Sequence, residues 1–238
     1  MQSLFILVIL SLAVFTQTLT GFGSALVAMA LLPAVVGLRI AVPLVALFAL
    51  ALEVVLLIHF RQSVQLRAVR TLALGALAGI PAGILMLRSV NERAVLAVLG
   101  AVITGYSLYA LIEFVPPRMA HGAWPYVFGF LAGLLGGAYN VSGPPVVVYG
   151  SCAGWSPKQF KANLQGFFVF SSLAILFSHA VGGNLTGEVW RLFPIALAAV
   201  GLGVLAGTLL DRYMNPAGFR RNVLMLLLVM GVKFILLG

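Results

Sequence analysis

Apolar residues run through this chain in blocks of about twenty, separated by short clusters of Arg, Lys, Asn, Ser, Pro and Gly. A helix of about 20 apolar residues crosses the roughly 30 Å hydrocarbon core of a bilayer. The pattern therefore predicts membrane helices over about 41–59, 68–87, 94–113, 159–181, 188–210 and 217–237. Two further blocks, about 3–37 and 124–154, are too long for one crossing. Residues 2–38 as continuous helix would reach about 55 Å. Each long block is interrupted. The first carries Thr20-Gly21-Phe22-Gly23-Ser24, and the second carries Gly136-Gly137-Ala138-Tyr139-Asn140-Val141-Ser142-Gly143-Pro144-Pro145. Non-helical backbone at membrane depth survives only where it is buried in protein or lines a cavity. Paired broken helices in two halves of a chain point to a transporter's binding site.

The halves are related by duplication. Residues 79–91 and 203–215 share six of thirteen positions: Gly79/Gly203, Ala82/Ala206, Gly83/Gly207, Leu85/Leu209, Arg88/Arg212 and Asn91/Asn215. The expected organisation is a first membrane repeat over 1–115, a connecting loop over 116–123 and a second repeat over 124–238. Each broken block either crosses once with an irregular middle or turns back to the side it came from. Loop charge separates the two. Turned-back hairpins divide the Lys and Arg residues nine against five between the two sides, and single crossings divide them eight against six. Because cytoplasmic loops collect positive charge, the hairpin version is preferred. It gives each half three full crossings and so inverts one half relative to the other. The expected fold is an all-α integral membrane protein of two inverted repeats, each a broken helical hairpin plus three transmembrane helices. Both termini are then expected outside the cytoplasm.

Composition excludes the main alternatives. The 238 residues are 62% hydrophobic and 8% charged, against about 25% charged in soluble domains. The net charge of +9 lies in short loops between blocks, with no aromatic-basic cluster to bind a strand, so a nucleic-acid partner is not expected. Cys152 stands alone, and His59, His121 and His179 are scattered, so neither a disulfide framework nor a metal site is expected. Leu4 to Val14 resembles a signal-peptide core but lacks a preceding Lys or Arg, and reads as the first membrane segment.

A break within the membrane exposes the start of the helix that follows, whose first N–H groups lack partners and carry partial positive charge. Gly23-Ser24 and Ser142-Gly143-Pro144-Pro145 both read as helix starts, and two such starts brought together form an anion site. The candidate substrate-binding residues are Gln17, Thr20, Gly21, Gly23, Ser24, Asn140, Ser142, Gly143, Asn163 and Gln165. They donate hydrogen bonds without a charge that would trap the ligand. The competing reading is that these groups only satisfy one another and the broken backbone. Glu53 is the acid well inside a span. It reads either as a carrier of a coupled proton or as an ion-pair partner for an Arg on a neighbouring helix. An ionised Glu beside an anion repels it, so Glu53 is expected outside the first ring of contacts. Lys158, His59, Lys233 and Arg39 read as interfacial residues.

On Thr20-Gly-Phe-Gly23 before an apolar helix, Gly133-Leu-Leu-Gly-Gly137 leading into Ser142-Gly-Pro-Pro145, and the two Gly-xxx-Gly helices, the chain resembles the sulfite exporter TauE/SafE family. The resemblance covers essentially the whole length. It implies a bacterial inner-membrane protein that moves sulfite, sulfonates or related small sulfur anions, usually outward, with no organic cofactor. The chain departs from the family in carrying Ala138-Tyr139-Asn140-Val141 where relatives often continue in glycine, and in having no evident mid-membrane Arg or Lys.

The expected function is a secondary transporter for a small anion, coupled to a proton, a sodium ion or the membrane potential. The partners are the substrate and the lipid bilayer; a homo-oligomer is left open. A passive channel is the rival within the class. A membrane enzyme needs an acid–base pair, a nucleophile–base pair or a metal cluster, and the sequence offers none. An assembly subunit is the remaining alternative.

Overall fold

The first block begins as α1 (Gln2–Thr20), breaks at Gly21 to Gly23, and resumes as α2 (Ser24–Leu31) and α3 (Pro33–Val36). Gly21 and Gly23 have φ of 87° and 104°, a left-handed backbone that glycine adopts without a Cβ penalty. The chain turns back there. Gln2 Nε2 donates to the Val35 carbonyl across 3.2 Å, so the first residue of α1 lies beside the far end of α3. The segment is a hairpin whose ends share one side, which decides between the two geometries the length allowed.

The second block repeats the arrangement. α7 (Trp124–Tyr139) breaks at Asn140 to Ser142 and resumes as α8 (Gly143–Cys152). Asn140, at φ 56°, is the one non-glycine residue with positive φ among the described residues; asparagine enters this region more readily than other side chains. Its amide donates to Gly136 O at 2.7 Å and closes α7. The Phe128 ring, near the start of α7, lies 5.8 Å from that of Tyr149 near the end of α8. These two arms also run side by side. The break is shorter than the glycine-rich run. Gly136 and Gly137 stay helical, and Pro144 and Pro145 occupy the first turn of α8.

The other helices are α4 (Leu38–Phe60), α5 (Leu66–Ser89), α6 (Glu92–Leu111), α9 (Pro157–Val181), α10 (Gly187–Leu210) and α11 (Pro216–Leu237), with a 3₁₀ turn at Arg61–Ser63. This computed structural model describes residues 2–89, 91–112, 118, 122–210, 213 and 216–237, and all regular structure among them is helical. Most of the loop expected at 116–123 lies outside the described residues, as do His121, Arg212, Asn215 and the side chain of Arg88. Among the described residues, five helices (those beginning at Gln2, Leu38, Leu66, Pro157 and Gly187) are long and apolar enough to cross a membrane. Large apolar side chains such as Phe5, Leu77, Phe177 and Leu205 face outward. A bilayer, unlike water, solvates such a surface.

The contacts form a reciprocal pattern. α5 packs on α7, and α10 packs on α1; α5 also meets α9, and α10 meets α4; α4 pairs with α9 and α6 with α11. Exchanging first-half elements for their second-half counterparts maps this list onto itself. The duplicated glycines explain it. A Cβ at Gly79 or Gly83 would overlap the backbone of Phe130 or Leu134 in α7, and one at Gly129, Gly133 or Gly137 would overlap that of Leu72, Ala76 or Ile80 in α5. Gly203 and Gly207 sit on Val14 and Thr18 of α1. Small residues let helices approach closely where lipid supplies no hydrophobic drive. The glycine pairs of α5 and α10 thus each clasp a broken helix from the other half of the chain. α4 lies at the centre, buried continuously from Ala41 to Ala49.

Candidate functional site

The first break is tied to α9 by a relay of amide groups. Gln165 Nε2 donates to Gly21 O at 2.6 Å. Its Oε1 accepts from Gln17 Nε2 at 3.3 Å. Gln17 Oε1 in turn accepts from the Ser24 amide at 3.2 Å and the Ser24 hydroxyl at 2.5 Å. Gln17, Ser24 and Gln165 are at most 2% exposed. Buried polar groups persist when their bonds are made, and here three side chains satisfy one another and the broken backbone.

The second break arrives on the same helix a short way along. An ideal Cβ on Gly143 would stand 3.8 Å from the Phe168 ring, and one on Gly136 would stand 3.0 Å from Ile175. From Gln165 to Phe168 is about 4.5 Å along a helix. The two breaks therefore converge near the middle of α9.

Between them lies a small cavity of about 20 Å³, room for about one water, lined by Gln17, Gly23, Ser24, Glu53, Asn140, Ser142, Gly143 and the α9 residues Phe168, Ser171 and Ser172. Both helix starts open onto it. In α2 the first helical bond inside the turn is Val27 N to Gly23 O at 3.0 Å, and the preceding residues Ala25 and Leu26 line the cavity. In α8, Pro144 and Pro145 have no N–H, so Gly143 supplies the amide of the first turn. Ser142 stands at the cap position without a capping side-chain bond. No Lys, Arg or His is among the lining residues.

Six of the ten sequence candidates, Gln17, Gly23, Ser24, Asn140, Ser142 and Gly143, line this cavity together. Gln165 and Gly21 lie behind it, joined by the hydrogen bond above. Thr20 and Asn163 lie elsewhere. The Thr20 hydroxyl is engaged with Thr16 O at 2.8 Å and Phe22 O at 2.6 Å, and the residue lines a separate apolar cavity beside Tyr106 and Leu224. Asn163 turns to the connection before α5, accepting from Gln65 N at 2.7 Å and donating to Gln65 Oε1 at 3.2 Å. Lys161 reaches the end of α1, with Nζ 3.4 Å from Leu19 O and 5.7 Å from the centre of the Phe60 ring. Lys158, His59, Lys233 and Arg39 are exposed. His179 is fully buried, with a ring nitrogen 2.9 Å from Asn184.

Glu53 is the surprise. Charge repulsion placed it away from an anion, yet it lines the same cavity as the helix starts. It is 6% exposed, lines the cavity together with Ser172, and its Oε2 has no hydrogen-bond partner among the described residues. Ser171, Ser172 and Phe168 escaped the sequence reading, because two serines in an apolar helix read as ordinary filling. Glu53 is the sixteenth residue of α4, and Ser172 is the sixteenth of α9. Aligning those two helices as repeats would have pointed to both.

The family model described as "Sulfite exporter TauE/SafE" matches residues 5–234. A relative from Cupriavidus necator, named "Probable sulfite/organosulfonate exporter TauE", is 30% identical over 239 residues, which cover 96% of this chain and 91% of the relative. No solved structure matches. By the extent of the family match, the chain belongs to the sulfite exporter TauE/SafE family.

Proposed function

We propose that this protein is a secondary transporter that exports a small sulfur-containing anion, sulfite or a sulfonate, across a bacterial inner membrane. The observation that carries this reading is the pairing of two helix starts, α2 and α8, on one buried polar cavity. Helix starts favour anions. Gln17, Ser24, Asn140 and Ser142 offer neutral hydrogen-bond partners, and Gly21, Gly23 and Gly143 let the backbone approach closely. Gln165 holds the first break in place. The family and the relative's name supply the sulfur chemistry.

The two repeats are inverted, each a hairpin plus three spanning helices, with both termini outside the cytoplasm. The first arms of the hairpins, 19 and 16 residues, are about 28 and 24 Å long. Entering from opposite faces of the membrane, they bring their breaks to one shared cavity. The cavity is too small for a sulfur oxyanion as it stands. Binding therefore requires the hairpins to separate, and rocking of one repeat against the other supplies that movement.

Counterflow tests the proposal. Proteoliposomes loaded with unlabelled sulfite are expected to accumulate labelled sulfite transiently against its gradient. A passive channel equilibrates without overshoot, and that result would reject the transporter reading.

A further inference from the structure

We infer that Glu53 is the resident anion of this cavity when no substrate is bound, and that a substrate anion enters only as Glu53 takes up a proton. The inference deepens, and rests on, the anion site proposed above. Its basis is a conflict in the geometry. The cavity that presents two helix starts to an anion already contains a carboxyl group, buried, with Oε2 unpartnered. A carboxylate there satisfies the partial positive charge of α2 and α8. A second negative charge in so small a space would face the first with little water between them.

Protonation resolves the conflict. A neutral carboxyl removes the repulsion and becomes a donor to an anion oxygen. The proton comes from water and adds to a carboxylate oxygen of Glu53; no bond of the anion is made or broken. A monoanion and a proton then occupy the site together, with no net change in its charge.

Among the described residues, no other ionisable group is placed to take this part. The elements packed on α4 are α2, α3, α9, α10 and the Arg61–Ser63 turn. α2 and α3 carry no ionisable side chain. On α9, Lys158 is exposed, Lys161 reaches Leu19 O, and His179 meets Asn184. On α10, Glu188 and Arg191 pair with each other at 3.6 Å. Arg61 is exposed, as are Arg39 and His59 on α4 itself. None of these lines the cavity.

The test uses methanesulfonate, a monoanion throughout the range studied, and the full chain in detergent between about pH 5 and about pH 8, within reach of buried carboxyls. Calorimetry in buffers of different ionisation enthalpy is expected to show proton uptake that rises with pH toward one per anion bound, with affinity falling up to about tenfold per pH unit over the same range. Glu53→Gln keeps the shape and removes the charge. It is expected to bind without proton uptake, and with an affinity that no longer changes with pH. On the wild type alone, the infrared carbonyl stretch of a protonated carboxylic acid is expected to appear on adding methanesulfonate, so the inference stays testable even if the variant fails to fold. Binding by the wild type without proton uptake, or uptake that persists in Glu53→Gln, overturns the inference while leaving the anion site standing. No binding by the wild type at any pH overturns the anion site, and the inference with it.

Discussion

Gln17 presents its side-chain oxygen to both the amide and the hydroxyl of Ser24, at 3.2 and 2.5 Å, across the first break. A neutral amide oxygen thus holds the start of α2, the position an anion would take. Gln17→Glu keeps an oxygen there and adds a fixed charge. Two charges about 4 Å apart at an effective dielectric near 20 repel by about 4 kcal/mol. Methanesulfonate affinity is expected to fall at least about tenfold, measured by calorimetry, and the melting temperature is expected to fall as well, because the buried carboxylate no longer donates to Gln165 Oε1.

Asn140 combines a left-handed backbone with a side chain in the cavity, and two substitutions separate those roles. Asn140→Gly keeps the backbone at ease and removes the amide. It is expected to lose transport while holding its thermal stability. Asn140→Ala loses the amide and adds about 1 kcal/mol of backbone strain, so it is expected to lose both. Labelled-sulfite efflux and thermal melts on the same preparations check the pair.

Ser142 lines the cavity and makes no capping bond. Ser142→Ala is therefore expected to abolish sulfite efflux from proteoliposomes while insertion and detergent-extracted yield stay at the wild-type level. Efflux at the wild-type rate would remove Ser142 from the site.

The glycine zipper between α5 and α7 predicts a stability effect far from the cavity. Gly79→Leu forces a side chain into the backbone of α7 and is expected to destabilise by about 3 kcal/mol or more, at or above the usual range for overpacking. Gly201 has nothing within 4 Å of an added Cβ. Gly201→Ala is expected to be neutral or to stabilise by up to about 1 kcal/mol. Thermal melts of the two variants give the comparison.

The hairpin of the first block predicts a cross-link. With Cys152→Ser as background, cysteines at Gln2 and Val35, which share a 3.2 Å hydrogen bond, are expected to join through a short thiol-reactive linker. A segment that crosses once would hold those positions a membrane apart, and no product would form.

Helix positions were legible because the bilayer imposes one length on every span. The blocks expected at 41–59 and 159–181 appear as α4 (Leu38–Phe60) and α9 (Pro157–Val181), within a few residues at each end. The breaks were legible because left-handed turns and helix starts need particular residues: Gly21, Gly23, Asn140, Ser142 and the two prolines. Within the second glycine-rich run the reading blurred. Gly136 and Gly137 look like part of a break, but they are helical, and Gly137 packs against Ile80 of α5. Glycine serves left-handed turns and close helix packing equally well, and composition does not separate the two uses.

The site divides along the same line. Residues adjoining a break are marked by the break itself, and six of the ten candidates line the cavity. Asn163 lies away from the cavity because its helical face, not its distance in sequence from Gln165, determines its partner. It turns to Gln65, while Gln165 turns to Gly21. Ser171 and Ser172 were invisible for the complementary reason: nothing local distinguishes a cavity-facing serine in an apolar helix.

By itself the sequence determined the membrane character of the chain, the apolar segments and the two interruptions. These follow from local rules: how many residues cross a hydrocarbon layer, and which residues end or begin a helix. Only the tertiary structure decided that the first block turns back, that the glycine pairs of α5 and α10 grip broken helices from the other half of the chain, and that Glu53 shares a cavity with both helix starts. Those facts depend on which faces of distant helices meet, and side-chain packing between segments sets that, not the order of residues within any one of them.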